Sequence, residues 1–218
     1  MPQKTRWEPD LPLLLSLLSV ILLNPVLDHG TVRRLVLAGC TLVPVIFATI
    51  RLSRTRRLLV PSVLLMSIVV IFGVISLFTA NRVLLVIQWA SLAAFFMLAV
   101  VGLFSYLRNA RSVLLLHLYT AVSVYLLLGM LWFAVYRAIE AAYPGSFQYG
   151  NNIGANRESE LLYFSLVTLS TVGYGDIVPL HGEVRMLAAL EGVTGVLYIA
   201  ITVAILISGF RRGPGSGE

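Results

Sequence analysis

The sequence predicts an all-α membrane protein with six transmembrane helices and, between the last two, a helix and loop that enter the membrane and return. Three observations predict it. The 218 residues are 58% hydrophobic and 12% charged, where soluble domains carry about 25% charged residues. Three runs, 58–80, 83–107 and 112–136, hold no Asp, Glu, Lys or Arg, and each exceeds the ~20 residues a helix needs to cross a bilayer. A further apolar stretch, 158–170, is too short to span and lies between a polar loop and a last long apolar run.

In chain order, the first helix is expected over 11–27 and the second over 31–50. Lys4 and Arg6 precede the first run as they would in a signal peptide. No small-residue cleavage pattern follows, since the chain continues Asn24-Pro25-Val26, so a retained helix is expected. Pro25, Pro44 and the tight Asp28-His29-Gly30 connection make this pair a helical hairpin. The third, fourth and fifth helices occupy the three uncharged runs, and the sixth covers 186–210. Residues 143–157 are rich in Pro, Gly and Asn and read as an exposed loop. Ser159 and Glu160 then suit a helix N-terminus. Irregular backbone after that helix is tolerable at membrane depth only beside a watery cavity or buried in protein. The chain thus divides into a four-helix domain over 1–110, a two-helix unit with its re-entrant element over 111–211, and a flexible tail over 212–218.

The net charge is +6, from 15 Arg and Lys4 against 10 acidic residues. The arginines flank apolar segments, as orientation signals do, so no nucleic-acid partner is expected. With cytoplasmic termini the inner side carries Lys4, Arg6, Arg51, Arg54, Arg56, Arg57, Arg108, Arg111, Arg211 and Arg212. The outer side carries Arg33, Arg34, Arg82, Arg137, Arg157 and Arg185. That bias favours a multi-pass protein of the cell membrane with both termini inside. The single Cys40 excludes an internal disulfide. No cofactor is expected, and Ser, His and carboxylates do not cluster at catalytic spacing, so an enzyme is not expected.

Residues 171–176 read Thr-Val-Gly-Tyr-Gly-Asp. Backbone carbonyls can replace a cation's water shell only if several point at one axis, and a regular strand alternates them. Gly173 and Gly175 lift the Cβ penalty on positive φ, so alternate residues can turn successive carbonyls to one side. The Thr171 hydroxyl can add a further oxygen. In this setting the hexapeptide resembles the selectivity filter of potassium channels. Residues 113–210 resemble the two-helix pore module of bacterial members, with Tyr125-Leu126-Leu127-Leu128-Gly129, Pro144-Gly145-Ser146-Phe147 and Leu190–Tyr198 matching outer helix, turret and inner helix.

The resemblance implies a prokaryotic potassium channel of the six-transmembrane, single-pore-loop type. Thr171, Val172, Gly173 and Tyr174 would supply the oxygens that coordinate K+, Gly175 would complete the outer turn, and Asp176 would sit at the pore mouth. Some members pair that Asp with a Glu four residues before the filter Thr, where this chain has Val167. Some place Trp-Trp mid-way along the pore helix, where this chain has Tyr163 and Phe164. Tyr163 is therefore a candidate brace for the filter. Gly195 falls where the family often has a flexible glycine; a gating hinge and close helix packing both stand as readings. One filter motif per chain implies a four-fold homotetramer.

Six spans before and through a filter invite a voltage sensor, but residues 83–107 carry no charge and no Asp or Glu occurs from His29 to Ile139. Each charge crossing the field contributes only ~2.3 kcal/mol per 100 mV, so a sensor needs several. The expectation is a passive, voltage-independent K+ channel; a poorly conducting or regulatory subunit and a channel with a degenerate sensor are the alternatives. A transporter would bring internal repeats, and none is found. Arg51, Arg54, Arg56 and Arg57 read as solvated arginines facing anionic lipid. Glu191, alone and acidic in the last apolar run, reads either as a pH-sensitive brace behind the filter or as a strut hydrogen-bonded to Ser165 or Thr168. His117 reads as packed or interfacial. The residues after Phe210 read as a tail, so regulation by calcium, cyclic nucleotide or NAD through an attached domain is not expected.

Overall fold

The computed structural model describes residues 10–24, 31–52, 56–79, 81–108, 115–150 and 157–211. Lys4, Arg6, Pro25, the Asp28–Gly30 connection, Arg54, Arg111, Arg212, residues 151–156 of the loop and the tail lie outside the described residues. So do the side chains of Arg33, Arg34, Cys40, Arg56, Arg57, Arg157, Ser159 and Arg211.

The described chain is mostly helical: α1 (Asp10–Leu23), α2 (Thr31–Leu52), α3 (Arg56–Phe78), α4 (Arg82–Arg108), α5 (Leu115–Ala142), α6 (Arg157–Leu169) and α7 (Gly182–Arg211). Among the described residues four helices are long and apolar enough to cross a membrane, within α3, α4, α5 and α7. α1 has 14 residues and rises only ~21 Å at ~1.5 Å per residue, short of the ~30 Å hydrocarbon layer. Pro44 and Pro61 sit inside α2 and α3.

Two boundaries in the C-terminal half differ from the sequence reading by four residues or more. α5 runs six residues past Tyr136, because Arg137 stays helical with its guanidinium 4.9 Å from the Trp89 ring centroid, where a cation–π contact shelters the charge. The helix stops at Ala142, ahead of Pro144, whose ring disfavours helical backbone at Tyr143. Glu140 closes this end, accepting from Gly145 N at 3.0 Å and Ser146 N at 3.1 Å. α7 starts four residues before Met186, with the acidic Glu183 in its first turn, where a negative charge meets the positive end of the helix dipole.

A two-stranded antiparallel ribbon was not anticipated. β1 (Phe147–Tyr149) pairs with β2 (Ile177–Pro179), Gln148 opposite Val178. Three-residue strands are too short to carry a periodicity signal; here the pairing ties the turret to the segment after the filter.

α4 and α5 form the most extensive helix pair, and α1 also packs on α5. The buried positions Leu92, Phe96, Ala99, Leu103 and Leu107 recur at three- and four-residue steps, one stripe of a helix. Arg51 corrects the lipid-facing reading: it is 9% exposed, its guanidinium 4.2 Å from the Tyr106 ring centroid. That ring stacks in turn on the buried His117, centroids 5.5 Å apart. Without an acidic residue between His29 and Ile139, aromatic faces are what this region offers its cations.

Candidate ion-conduction site

α6 ends at Leu169 and the chain continues into the hexapeptide. Thr171 N donates to Thr168 O at 3.0 Å, Val172 N to Val167 O at 3.0 Å and Gly173 N to Val167 O at 3.4 Å. These N–H groups are thus tied back to the helix. Among the described residues no backbone N–H outside helices and strands donates to a carbonyl of Thr171–Gly175.

Positive φ occurs at Thr171 (62°), Gly173 (55°) and Gly175 (78°). Alternation of left-handed and ordinary backbone turns successive carbonyls toward one side, which a strand cannot do. The glycines adopt this freely. Thr171 does not: a β-branched residue at positive φ is rare and strained by about 1–3 kcal/mol. Sequence reasoning assigned the left-handed backbone to the glycines alone; the two-residue period that includes Thr171 was the available signal.

At the outer end, Tyr163 donates its hydroxyl to Asp176 Oδ2 at 2.8 Å, and Ile177 N donates to Oδ1 at 3.0 Å. The Tyr163 and Tyr174 rings are parallel, with centroids 6.5 Å apart. Gly150 N donates to Asp176 O at 2.9 Å, so the bonding between the two segments extends from the ribbon to the last residue of the hexapeptide. Partial burial, and secondly the charge of Asp176, raise the carboxyl of Glu160 above the ordinary carboxylate range. The mouth thus carries two acidic groups. Val172 and Tyr174 are 54% and 72% exposed in the single chain, which leaves apolar surface beside the filter for further protein to cover.

α6 packs on both α5 and α7. Glu191 of α7 is 0% exposed. Its Oε1 lies 2.6 Å from Ser165 Oγ of α6 and its Oε2 accepts from the Tyr136 hydroxyl of α5 at 2.6 Å. Ser165 was among the anticipated partners and Thr168 is not used; Tyr136 carried no local signal, being 55 residues away. Tyr136, Phe147 and Phe164 form a cluster of edge-to-face rings with centroids 5.2–5.5 Å apart. Phe164 therefore contributes packing rather than a hydrogen bond. Gly195 lies against the last residue of α6. A Cβ there would stand 3.0 Å from the Leu169 carbonyl carbon and collide with its oxygen. This favours the packing reading of Gly195, with α7 a continuous helix across it.

Residues 113–212 match the family described as Ion channel. A putative potassium channel protein of Rhodopseudomonas palustris is 40% identical over 53 residues, 24% of this chain and 13% of the relative. An inward rectifier potassium channel of Paramagnetospirillum magnetotacticum is 30% identical over 93 residues, 41% of this chain and 28% of the relative. The voltage-gated potassium channel protein Shal of Drosophila melanogaster is 30% identical over 97 residues, 43% of this chain and 17% of the relative. The chain therefore spans under a third of the length of these relatives. No solved structure matches. The family match covers α5, α6, the hexapeptide and α7.

Proposed function

We propose that the chain is one subunit of a potassium-selective channel. Four copies surround an axis, and the carbonyls of Thr171, Val172, Gly173 and Tyr174, with the Thr171 hydroxyl, replace the water around K+. Several adjacent weak sites allow entry and release without chemistry. Gly175 turns the chain out of the filter and Asp176 draws cations to the mouth. The observation that carries this reading is the alternation of positive φ at 171, 173 and 175 together with N–H groups tied back to α6. It leaves the carbonyls available to an ion.

The finer parts of the reading are a six-span topology, cytoplasmic termini, residence in the cell membrane and gating that depends little on voltage. The uncharged stretch 83–107 supports the last, since a sensor moves several charges. Potassium flux into liposomes holding the purified protein, measured against sodium and with barium as blocker, tests the whole. The expected result is barium-sensitive flux that strongly favours potassium and changes little with membrane potential. Equal sodium flux would overturn the selectivity, and a steep voltage dependence would overturn the gating.

A further inference from the structure

Glu191 sits in the middle of an apolar helix with both oxygens engaged, and the hydrogens around it can be counted. Three oxygen–oxygen contacts form a chain: Tyr136 Oη to Glu191 Oε2 at 2.6 Å, Glu191 Oε1 to Ser165 Oγ at 2.6 Å, and Ser165 Oγ to Gly129 O at 2.8 Å. Each contact needs one proton. Tyr136 supplies one and Ser165 one; the Gly129 carbonyl has none to give. A carboxylate at 191 would leave two protons for three contacts, with lone pairs facing each other across one of them. A carboxylic acid supplies the third: Oε1–H donates to Ser165 Oγ, and Ser165 donates to Gly129 O.

The surroundings agree. The titratable groups facing Glu191 from α5 are Tyr136 and Tyr125. α6 presents the Ser165 hydroxyl. The neighbouring cation Arg137 turns away, over Trp89 of α4. Among the described residues no cation bonds to Glu191, and a buried, unpaired carboxylate is costly.

We propose that Glu191 is held as the neutral acid and is the positioning residue that links α7 to the pore helix α6 and through it to α5. The consequence for conduction rests on the channel reading above. Ser165 is six residues before Thr171, and the filter N–H groups hang from Val167 O and Thr168 O of the same helix. Loss of the proton sets a negative oxygen against Ser165 with one hydrogen for two acceptors, which unseats α6 and with it the filter. Gln at 191 can set an N–H donor against Ser165 Oγ and a carbonyl acceptor against the Tyr136 hydroxyl, with one N–H more than the acid carries, and cannot ionise.

Infrared spectra of the reconstituted protein and of Glu191→Gln, both at neutral pH, read the proton directly. A carbonyl stretch of a protonated carboxyl, present in wild type and absent from the variant, is expected. Loss of a carboxylate band in its place overturns the proposal. Should Glu191→Gln not assemble, Ser165→Ala must shift the acid band; an unmoved band overturns the chain of bonds. In potassium flux, wild type is expected to fall at least tenfold as alkaline pH removes the infrared band, while Glu191→Gln holds its flux. Equal decline in both, or wild-type flux that survives loss of the band, overturns the positioning role. Absence of selective flux from both at every pH counts against the channel reading and against that role, while the infrared result still decides where the proton is.

Discussion

Gly192 and Gly195 stand on the same inner helix, three residues apart, and the structure assigns them opposite tolerance to a methyl group. A Cβ at Gly192 would meet Thr168 O at 3.6 Å, an ordinary contact. A Cβ at Gly195 would meet the Leu169 carbonyl carbon at 3.0 Å, its Cδ1 at 3.2 Å and overlap its oxygen. Replacing helical Gly by Ala is otherwise favourable by up to ~1 kcal/mol, and that gain is common to both sites. Overpacking costs about 1–3 kcal/mol, with the upper end applying at 195 because the obstacle is backbone rather than a side chain that can swing aside. The net expectation is about 2 kcal/mol lost per subunit for Gly195→Ala and a small gain for Gly192→Ala. In a four-fold assembly the loss is counted four times, about 8 kcal/mol. The assay is survival of the oligomer in detergent after heating, read by size exclusion, with the K+/Na+ flux ratio in liposomes beside it. Gly195→Ala is expected to dissociate at lower temperature and to lose selectivity, since Leu169 is two residues before the filter. If the two variants are equally stable and equally selective, the packing argument is wrong. A glycine serving only as a hinge would change open probability while the oligomer grew more heat-resistant.

Other substitutions test the site piece by piece. Tyr163→Phe removes the 2.8 Å bond to Asp176, worth ~1 kcal/mol or less at an exposed position; the oligomer is expected to assemble while flux decays faster during sustained conduction, recorded in planar bilayers. Glu140→Ala removes the acceptor of the Gly145 and Ser146 N–H groups, and hydrogen exchange at those two amides is expected to rise while α6 stays protected. Phe164→Ala opens the aromatic cluster at a cost of about 3–5 kcal/mol, so the oligomer is expected to melt early, whereas Phe164→Leu keeps most of the volume and is expected to lose far less. Glu160→Gln removes one of the two acidic groups at the mouth and is expected to reduce conductance at low ionic strength only, because salt at ~0.1 M screens charges beyond ~10 Å.

The long helices were legible because uncharged runs of 23 to 25 residues have one physical solution in lipid. The filter backbone was legible at Gly173 and Gly175, where sequence marks positive φ, and illegible at Thr171, where a β-branched residue hides it. Local pattern also missed what depends on meeting a distant element. Arg137 ends the apolar run of α5 and reads as a helix boundary, yet Trp89 of α4 shelters it. Arg51 looked like a membrane-edge charge until Tyr106, 55 residues on, came to cover it. Glu191 stands out in the sequence by being alone, and one partner, Ser165, was legible from the neighbouring helix. Tyr136 was not, because a tyrosine in an apolar run is indistinguishable from packing until its hydroxyl has somewhere to point.

Val167 has no polar side-chain group with which to brace the hexapeptide. Its carbonyl instead accepts from both Val172 N and Gly173 N. Restraint is then divided between the outer end of the hexapeptide and the buried contacts of α6. At the outer end Tyr163 holds Asp176 in a solvent-exposed bond, where water competes and the net contribution is small. Along α6 the restraint is buried: Glu191 and Tyr136 fix Ser165, while Gly195 lets Leu169 approach α7. Helices in lipid gain nothing from hiding apolar surface from one another, so packing and hydrogen bonds decide their association. The buried contacts should therefore govern whether α6 is seated at all, and the exposed end how long the mouth keeps its shape under flux. Combining Tyr163→Phe with Gly192→Ala should give additive effects, since nothing links the two sites directly; combining Tyr136→Phe with Glu191→Gln should not, since both act on the same bond.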